Sequence, residues 1–297
     1  MNDLILSKME QLIIMKIKYL EYTPKHKIKI FMKRLFISIL TICLLIISTT
    51  ACDPSENAST GTLQVALTDA PAAYESVLID IEEVRVHIES EAEDEDDGWR
   101  TISDQQITVD LLNLTNGTTE ILGEAELEPG TYGQMRLVLG DDNELVIDGQ
   151  SIPLTTPSAQ QSGLKLNIDA EIESNSTYTL LLDFDASRSI VEAGNSGMYL
   201  LKPVIRTVNL AESGAISGDI NPADAQPWVY AIAEQDTVAG TQATAEGDFL
   251  LIGLTSGTYD LSVTPTDEGL SPTVMPNINV IAPDTTSVGT IDLRSVE

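Results

Sequence analysis

The stretch VLIDIEEVRVHI, residues 77–88, decides the fold class. Its apolar residues alternate through Ile79 and Ile81, then change phase to Val84, Val86 and Ile88. Period-two alternation is the mark of a strand with one buried face, and a helix would need apolar residues three and four apart. A phase change with no turn residue in it predicts a β-bulge at Glu82-Glu83. The same alternation runs outward through TLQVALTD (62–69), with Leu63, Val65 and Leu67 on one face. LVIDGQSIPL (145–154) places Asp148-Gly149 between two alternating arms, a strong hairpin signal. Short β-branched and aliphatic runs continue from Gly61 onward, broken by Gly, Pro, Asn and Asp, with hardly a helical stripe. The expected class is all-β: two tandem β-sandwiches of immunoglobulin-like or transthyretin-like, Greek-key type.

One device recurs. LEPGTYGQMRLVL (127–139), SNSTYTLLLDF (174–184) and LTSGTYDLSVT (254–264) each place a turn and Thr-Tyr just before an alternating strand. Their spacing is too wide for a solenoid repeat. Tyr132, Tyr178 and Tyr259 are expected to pack their rings inward, with the hydroxyl reaching loop backbone.

Ahead of these strands, Leu35 to Ile47 is a 13-residue apolar run preceded by Met32-Lys33-Arg34 and followed by Ser48, Thr49, Thr50 and Ala51. That order is a secretory signal, and the run is short for a membrane span. The chain is therefore expected to be exported, with 32–51 as the signal. Residues 1–31 read as an upstream extension from a misassigned start, with translation beginning at Met32; a cytosolic tail is the alternative. Removal of the signal leaves Cys52 as the sole thiol. Ala51-Cys52 resembles the end of a bacterial lipoprotein signal, in which the cysteine becomes an acylated N-terminus. Thr49 departs from the leucine usual three places earlier. Cleavage by the ordinary signal peptidase at Thr49-x-Ala51 is the rival reading, but it would leave an exposed thiol in an oxidising compartment. Residues 52–60 then form a polar tether, and two or more acyl chains would hold the protein in a bacterial envelope membrane.

From Cys52 onward the chain carries 43 acidic and 8 basic residues, a formal charge of −35. Such a surface repels nucleic acid and anionic headgroups, so no nucleic-acid partner is expected.

Residues 61–210 resemble the bacterial lipoprotein family known as domain of unknown function 4382. The pieces that carry this are GTLQVALTDAPAAYESVLIDIEEVRVH, VDLLNL, EPGTYGQMRLVL, GLKL, LLDFDASRSIV and YLLKPVIRTV, in that order. Residues 214–297 resemble the carboxypeptidase-regulatory-like, transthyretin-type sandwich, through ISGDI, WVYAIAE, TATAEGDFLLIGL with Gly247 and Phe249, and SGTYDLSV. The second resemblance implies a spacer or binding unit and supplies no catalytic residue.

Chemistry has few places to hide. After signal removal His87 is the one histidine, on a strand face with Arg85 and Glu89, and it reads as a solvent-facing residue. No nucleophile elbow, P-loop or dinucleotide fingerprint is present, and the ligand supply argues against zinc. Asp183 and Asp185 in LLLDFDAS lie two apart on a strand, hence on one face about 7 Å apart. They form the candidate ligand site, open to a glycosidase or hard-cation reading. In ESEAEDEDDGWR (89–100), Glu93, Glu95 and Asp97 with Asp104 approximate an EF-hand spacing, but the starting Asp, the closing Glu and the flanking helices are missing. The expectation is a solvated acidic loop, and weak Ca²⁺ binding at high external calcium is the one cofactor reading it leaves open. Trp99 and Trp228 are expected to cap the sandwich cores.

These readings converge on a non-enzymatic, lipid-anchored envelope protein that binds a polysaccharide or an envelope protein. The alternatives are a carboxylate-dependent glycan hydrolase and a calcium-stabilised structural or adhesion module.

Overall fold

The computed structural model describes residues 59–89, 98–156, 163–194 and 196–296. The chain is all-β, as the alternation predicts. Thirteen strands come first: β1 (Gly61–Ala70), β2 (Ser76–Ile88), β3 (Trp99–Ser103), β4 (Ile107–Asp110), β5 (Glu120–Leu127), β6 (Gly130–Leu139), β7 (Glu144–Ile147), β8 (Gln150–Thr155), β9 (Leu164–Ile172), β10 (Thr177–Asp185), β11 (Ile190–Glu192), β12 (Tyr199–Leu201) and β13 (Ile205–Asn209). Helix α1 (Ala186–Ser189) follows β10. Seven more strands complete the chain: β14 (Gly214–Asn221), β15 (Trp228–Ala233), β16 (Asp236–Gln242), β17 (Asp248–Leu254), β18 (Gly257–Thr264), β19 (Thr273–Val280) and β20 (Thr285–Asp292).

The first thirteen strands make two sheets. One has the order β13-β10-β1-β5, and β1 runs parallel to β10. The other has the order β11-β12-β8-β7-β2-β6-β9, with β3 and β4 also pairing with β2. The two sheets share one core, in which Leu63, Ile79, Val86, Leu137, Leu182 and Phe184 are buried. The alternation of β2 breaks where expected: its pairing with β6 shifts register between Ile81 and Glu83. The extra residue lets Ile81 and Val84 both face inward. The hairpin at 145–154 also forms, with Ile147 opposite Gln150 and positive φ at both Asp148 (50°) and Gly149 (69°). Positive φ at both central residues matches the right-handed twist of the arms.

The last seven strands make a second pair of sheets, β17-β14-β20 and β16-β15-β18-β19. They enclose a separate core of Ile216, Val229, Phe249, Leu251 and Leu261.

Two of the three Thr-Tyr tyrosines behave alike. Tyr132 and Tyr259 are buried, and each hydroxyl donates to a carbonyl four residues upstream, of Glu128 (3.1 Å) and Thr255 (2.8 Å) respectively. Tyr178 differs: it is half-buried and donates across to the carbonyl of Asp169 in β9.

Neither tryptophan caps a core. Val229 and Ala231 point inward from β15, so Trp228 by parity points outward. Trp99 pairs with His87, whose neighbours Val86 and Ile88 are the buried ones, and the ring therefore lies on the outer face. There it meets His87 edge-on at 5.2 Å, with the Arg136 guanidinium 4.4 Å from its centre.

Candidate functional site

Strands β1 and β10 lie side by side with Thr68 opposite Asp183, Asp69 opposite Phe184 and Ala70 opposite Asp185. Along β10 the burial does not alternate: Leu180, Leu181, Leu182, Asp183 and Phe184 are all buried. Strands covered on both faces lose their alternation, and here the second cover comes from the later sandwich. Adding a Cβ at Gly253 of β17 would bring it to 3.1 Å from Leu181 Cδ2, and one at Gly117 to 2.7 Å from Leu250 Cδ2.

Asp183 is thus a carboxylate at a seam. Arg206, on the neighbouring β13, donates to its Oδ2 from Nη2 at 2.6 Å and Nε at 3.2 Å. The remaining terminal nitrogen, Nη1, donates to the Gly253 carbonyl at 2.6 Å. Burial pushes the Asp183 carboxyl up, and the Arg206 charge draws it back only in part.

Asp185 performs a different task. Its Oδ1 accepts from the Arg188 N–H at 3.0 Å and from the Ser187 hydroxyl at 2.7 Å, so it caps α1. Both carboxylates line one pocket of about 150 Å³ with Arg188, Arg206 and Val238. The two residues read as a pair are therefore brought together, but each already holds a partner. A glycosidase pair needs two carboxyl groups free to face a sugar.

The sequence reading passed over Asp69. It follows Leu63, Val65 and Leu67 in the same phase, so the alternation alone directs its side chain to the core. It is 2% exposed, its Oδ1 accepts from the Ala186 N–H at 3.0 Å, and its Oδ2 is buried without a partner. Desolvation raises its pKa well above the ordinary value, and Asp183 and Asp185 raise it further against the pull of the Ala186 N–H. Asn116 was missed as well. In a left-handed turn with Gly117, its N–H donates to Thr241 Oγ1 at 2.6 Å and its Oδ1 accepts from the Leu250 N–H.

A wider cleft of about 670 Å³ opens along the same seam, lined by Asn167, Tyr178, Arg206, Glu212, Val238 and Tyr259 among others. Burial pushes the Tyr178 hydroxyl up to about 12, so it remains a neutral donor in the cleft.

The other predicted positions are separate from this seam. Asp104 is exposed between β3 and β4. Glu93, Glu95, Asp97 and Cys52 lie outside the described residues. Among the described residues, no group of three His, Cys, Asp or Glu side chains is placed to hold a metal ion, and no helix is long and apolar enough to cross a membrane.

The segment that supplies these carboxylates is similar to a known family. Residues 60–203 match the family model described as Domain of unknown function (DUF4382). The matched segment contains Asp69, Asp183 and Asp185, whereas Arg206 and every residue of the second sandwich lie beyond it. No curated protein matches the chain. Solved structures similar to it include the Bacillus anthracis TIE protein (12% identity, TM-score 0.21, 80% of this chain and 34% of that one). Others are GBS52, the minor pilin of Streptococcus agalactiae (13%, TM-score 0.22, 79% and 96%), and the shaft pilin spaA of Lactobacillus rhamnosus GG (12%, TM-score 0.23, 80% and 98%). The chain thus spans about a third of the length of the first. Identities and TM-scores this low do not speak to what the chain does.

Proposed function

We propose that this is a non-enzymatic protein of the bacterial cell envelope, acylated at Cys52, whose joined sandwiches serve a binding or structural role. The observation that carries the reading is the use made of Asp183. This carboxylate, the first choice for chemistry in a chain with so few other reactive groups, is paired with Arg206, and Arg206 in turn holds the Gly253 carbonyl. A group fixed between a cation and a second sandwich is suited to joining and poorly placed for proton transfer. The later sandwich, read as a transthyretin-type unit, then enlarges the surface available for binding.

Mass measurement of the N-terminal peptide from the host's membrane fraction tests the anchor. A peptide starting at Cys52 with added acyl mass is expected. An unmodified Cys52 would make the protein soluble and exported, and residues retained from before Met32 would refute the start and the cleavage together. Incubation with envelope glycans tests the enzymatic rival: release of reducing sugar that disappears in Asp185→Asn would replace this reading with a hydrolase.

A further inference from the structure

The outer face of the large sheet carries a row of like charges. Arg85 on β2 lies directly opposite Arg136 on β6, and Arg136 lies directly opposite Lys165 on β9. Alternation puts all three on the side away from the core, since Val84, Val86, Met135 and Leu137 are buried. Adjacent strands are about 4.8 Å apart, so the row spans about 10 Å. Like charges directly opposite one another destabilise a sheet. Three of the eight basic residues from Cys52 onward stand in this one row, on a chain with 43 acidic residues to choose neighbours from.

Little in the described structure neutralises the row. Glu83 approaches Arg85 at 3.5 Å. Arg136 makes no hydrogen bond or ion pair among the described residues and is held by the face of Trp99. Lys165 is exposed. Trp99 also lies 5.9 Å from the Arg85 guanidinium, so one ring steadies both arginines. The next row along the sheet, Gln134 opposite Asn167, adds exposed amides. Beyond it on β9 come the acidic Asp169 and Glu171.

We infer that this face binds an extended, carboxylate-bearing polysaccharide, with Arg85, Arg136 and Lys165 on its carboxylates and Gln134 and Asn167 on its hydroxyls. Guanidinium groups match carboxylates in geometry as well as in charge. A protein partner fits less well, because a stable protein interface has an apolar centre. Among the described residues, the exposed large apolar side chains, Ile121, Val191, Met198, Val274, Ile281 and Val296, are all on other strands or loops. A second copy of a chain this acidic would be repelled over most of its surface. The negative charge elsewhere does not prevent the contact, since at physiological salt a charge is felt over about 8 Å. The inference rests on the binding role proposed above and names its ligand class.

The test is titration of the full-length chain, purified in nonionic detergent, with polygalacturonate and with neutral dextran, at low and at physiological salt. Polygalacturonate is expected to bind and dextran not, with affinity falling as salt rises. Arg136→Gln and Lys165→Gln, each with an unchanged melting curve, are expected to weaken binding about tenfold. Absence of polygalacturonate binding, equal binding of dextran, or full binding by a protein carrying both substitutions would overturn the inference while leaving the non-enzymatic reading in place. Self-association lost in the same variants would overturn it in favour of a second copy. Appearance of new reducing ends in the titration mixture would instead sink the non-enzymatic reading.

Discussion

Arg206 bridges two sandwiches: within the first, Nη2 and Nε share Asp183 Oδ2 at 2.6 and 3.2 Å, while Nη1 reaches the Gly253 carbonyl of the second. The Asp183 side chain is 9% exposed and that of Arg206 32%, so the pair sits at the rim of the seam with the carboxylate on its inner side.

Removing the cation alone should therefore be worse than removing both partners. Arg206→Met leaves Asp183 buried and unpaired, and is expected to cost about 2–4 kcal/mol in urea unfolding. Asp183→Asn combined with Arg206→Met should recover part of that loss. An Arg206→Met protein as stable as the parent would show that the pair does not join the sandwiches.

Asp69 sets a pH dependence. Its carboxyl is raised in the folded state, so the native protein holds this proton more tightly than the unfolded chain does. Its contribution to stability is complete below the unfolded value, near 4, and is lost as pH rises through the folded value. Other carboxylates add their own slopes, so the informative quantity is a difference. Subtracting the melting temperatures of Asp69→Asn from those of the parent should give a curve that falls with rising pH above about 4. A flat difference would mean that Asp69 is ionised in the native state.

The Asn116-Gly117 turn is the second fastening. Asn116→Ala removes the side-chain acceptor of the Leu250 N–H while keeping the backbone bond to Thr241, and is expected to cost about 1–2 kcal/mol. Gly117→Ala places a Cβ at a φ of 77° and within 2.7 Å of Leu250 Cδ2. Amide exchange at Leu250 should quicken in both variants, with exchange in the middle of β2 unchanged. If β2 loosens equally, the turn supports the first sandwich rather than the seam.

The three Thr-Tyr tyrosines should separate into two groups. Tyr132→Phe and Tyr259→Phe each remove a bond from a buried side chain to a loop carbonyl, for a loss of about 1 kcal/mol. Tyr178→Phe removes a bond on the exposed side of the cleft and should cost less. Thermal unfolding of the three variants under one condition checks the order, and a Tyr178→Phe protein that is the least stable would reverse it.

Much of this was legible in the chain itself, because a strand with one buried face must alternate and a tight hairpin must admit positive φ. Those two requirements are local, and they suffice for the all-β class, the bulge after Ile81, the turn at Asp148-Gly149 and the inward course of Tyr132. Even Asp69 was legible in principle, since it keeps the phase of Leu63, Val65 and Leu67. The rest depended on which strands become neighbours. Alternation says which face a residue occupies and nothing about what lies beside it or on top of it. The parallel pairing of β1 with β10 joins residues more than a hundred positions apart, and the second sandwich buries the opposite face of β10. Those two events turn Asp183 from a solvated strand-end carboxylate into the partner of Arg206. The same limit hid the basic row: Arg85, Arg136 and Lys165 are unremarkable on their own strands, and only the register of β2, β6 and β9 sets their charges side by side.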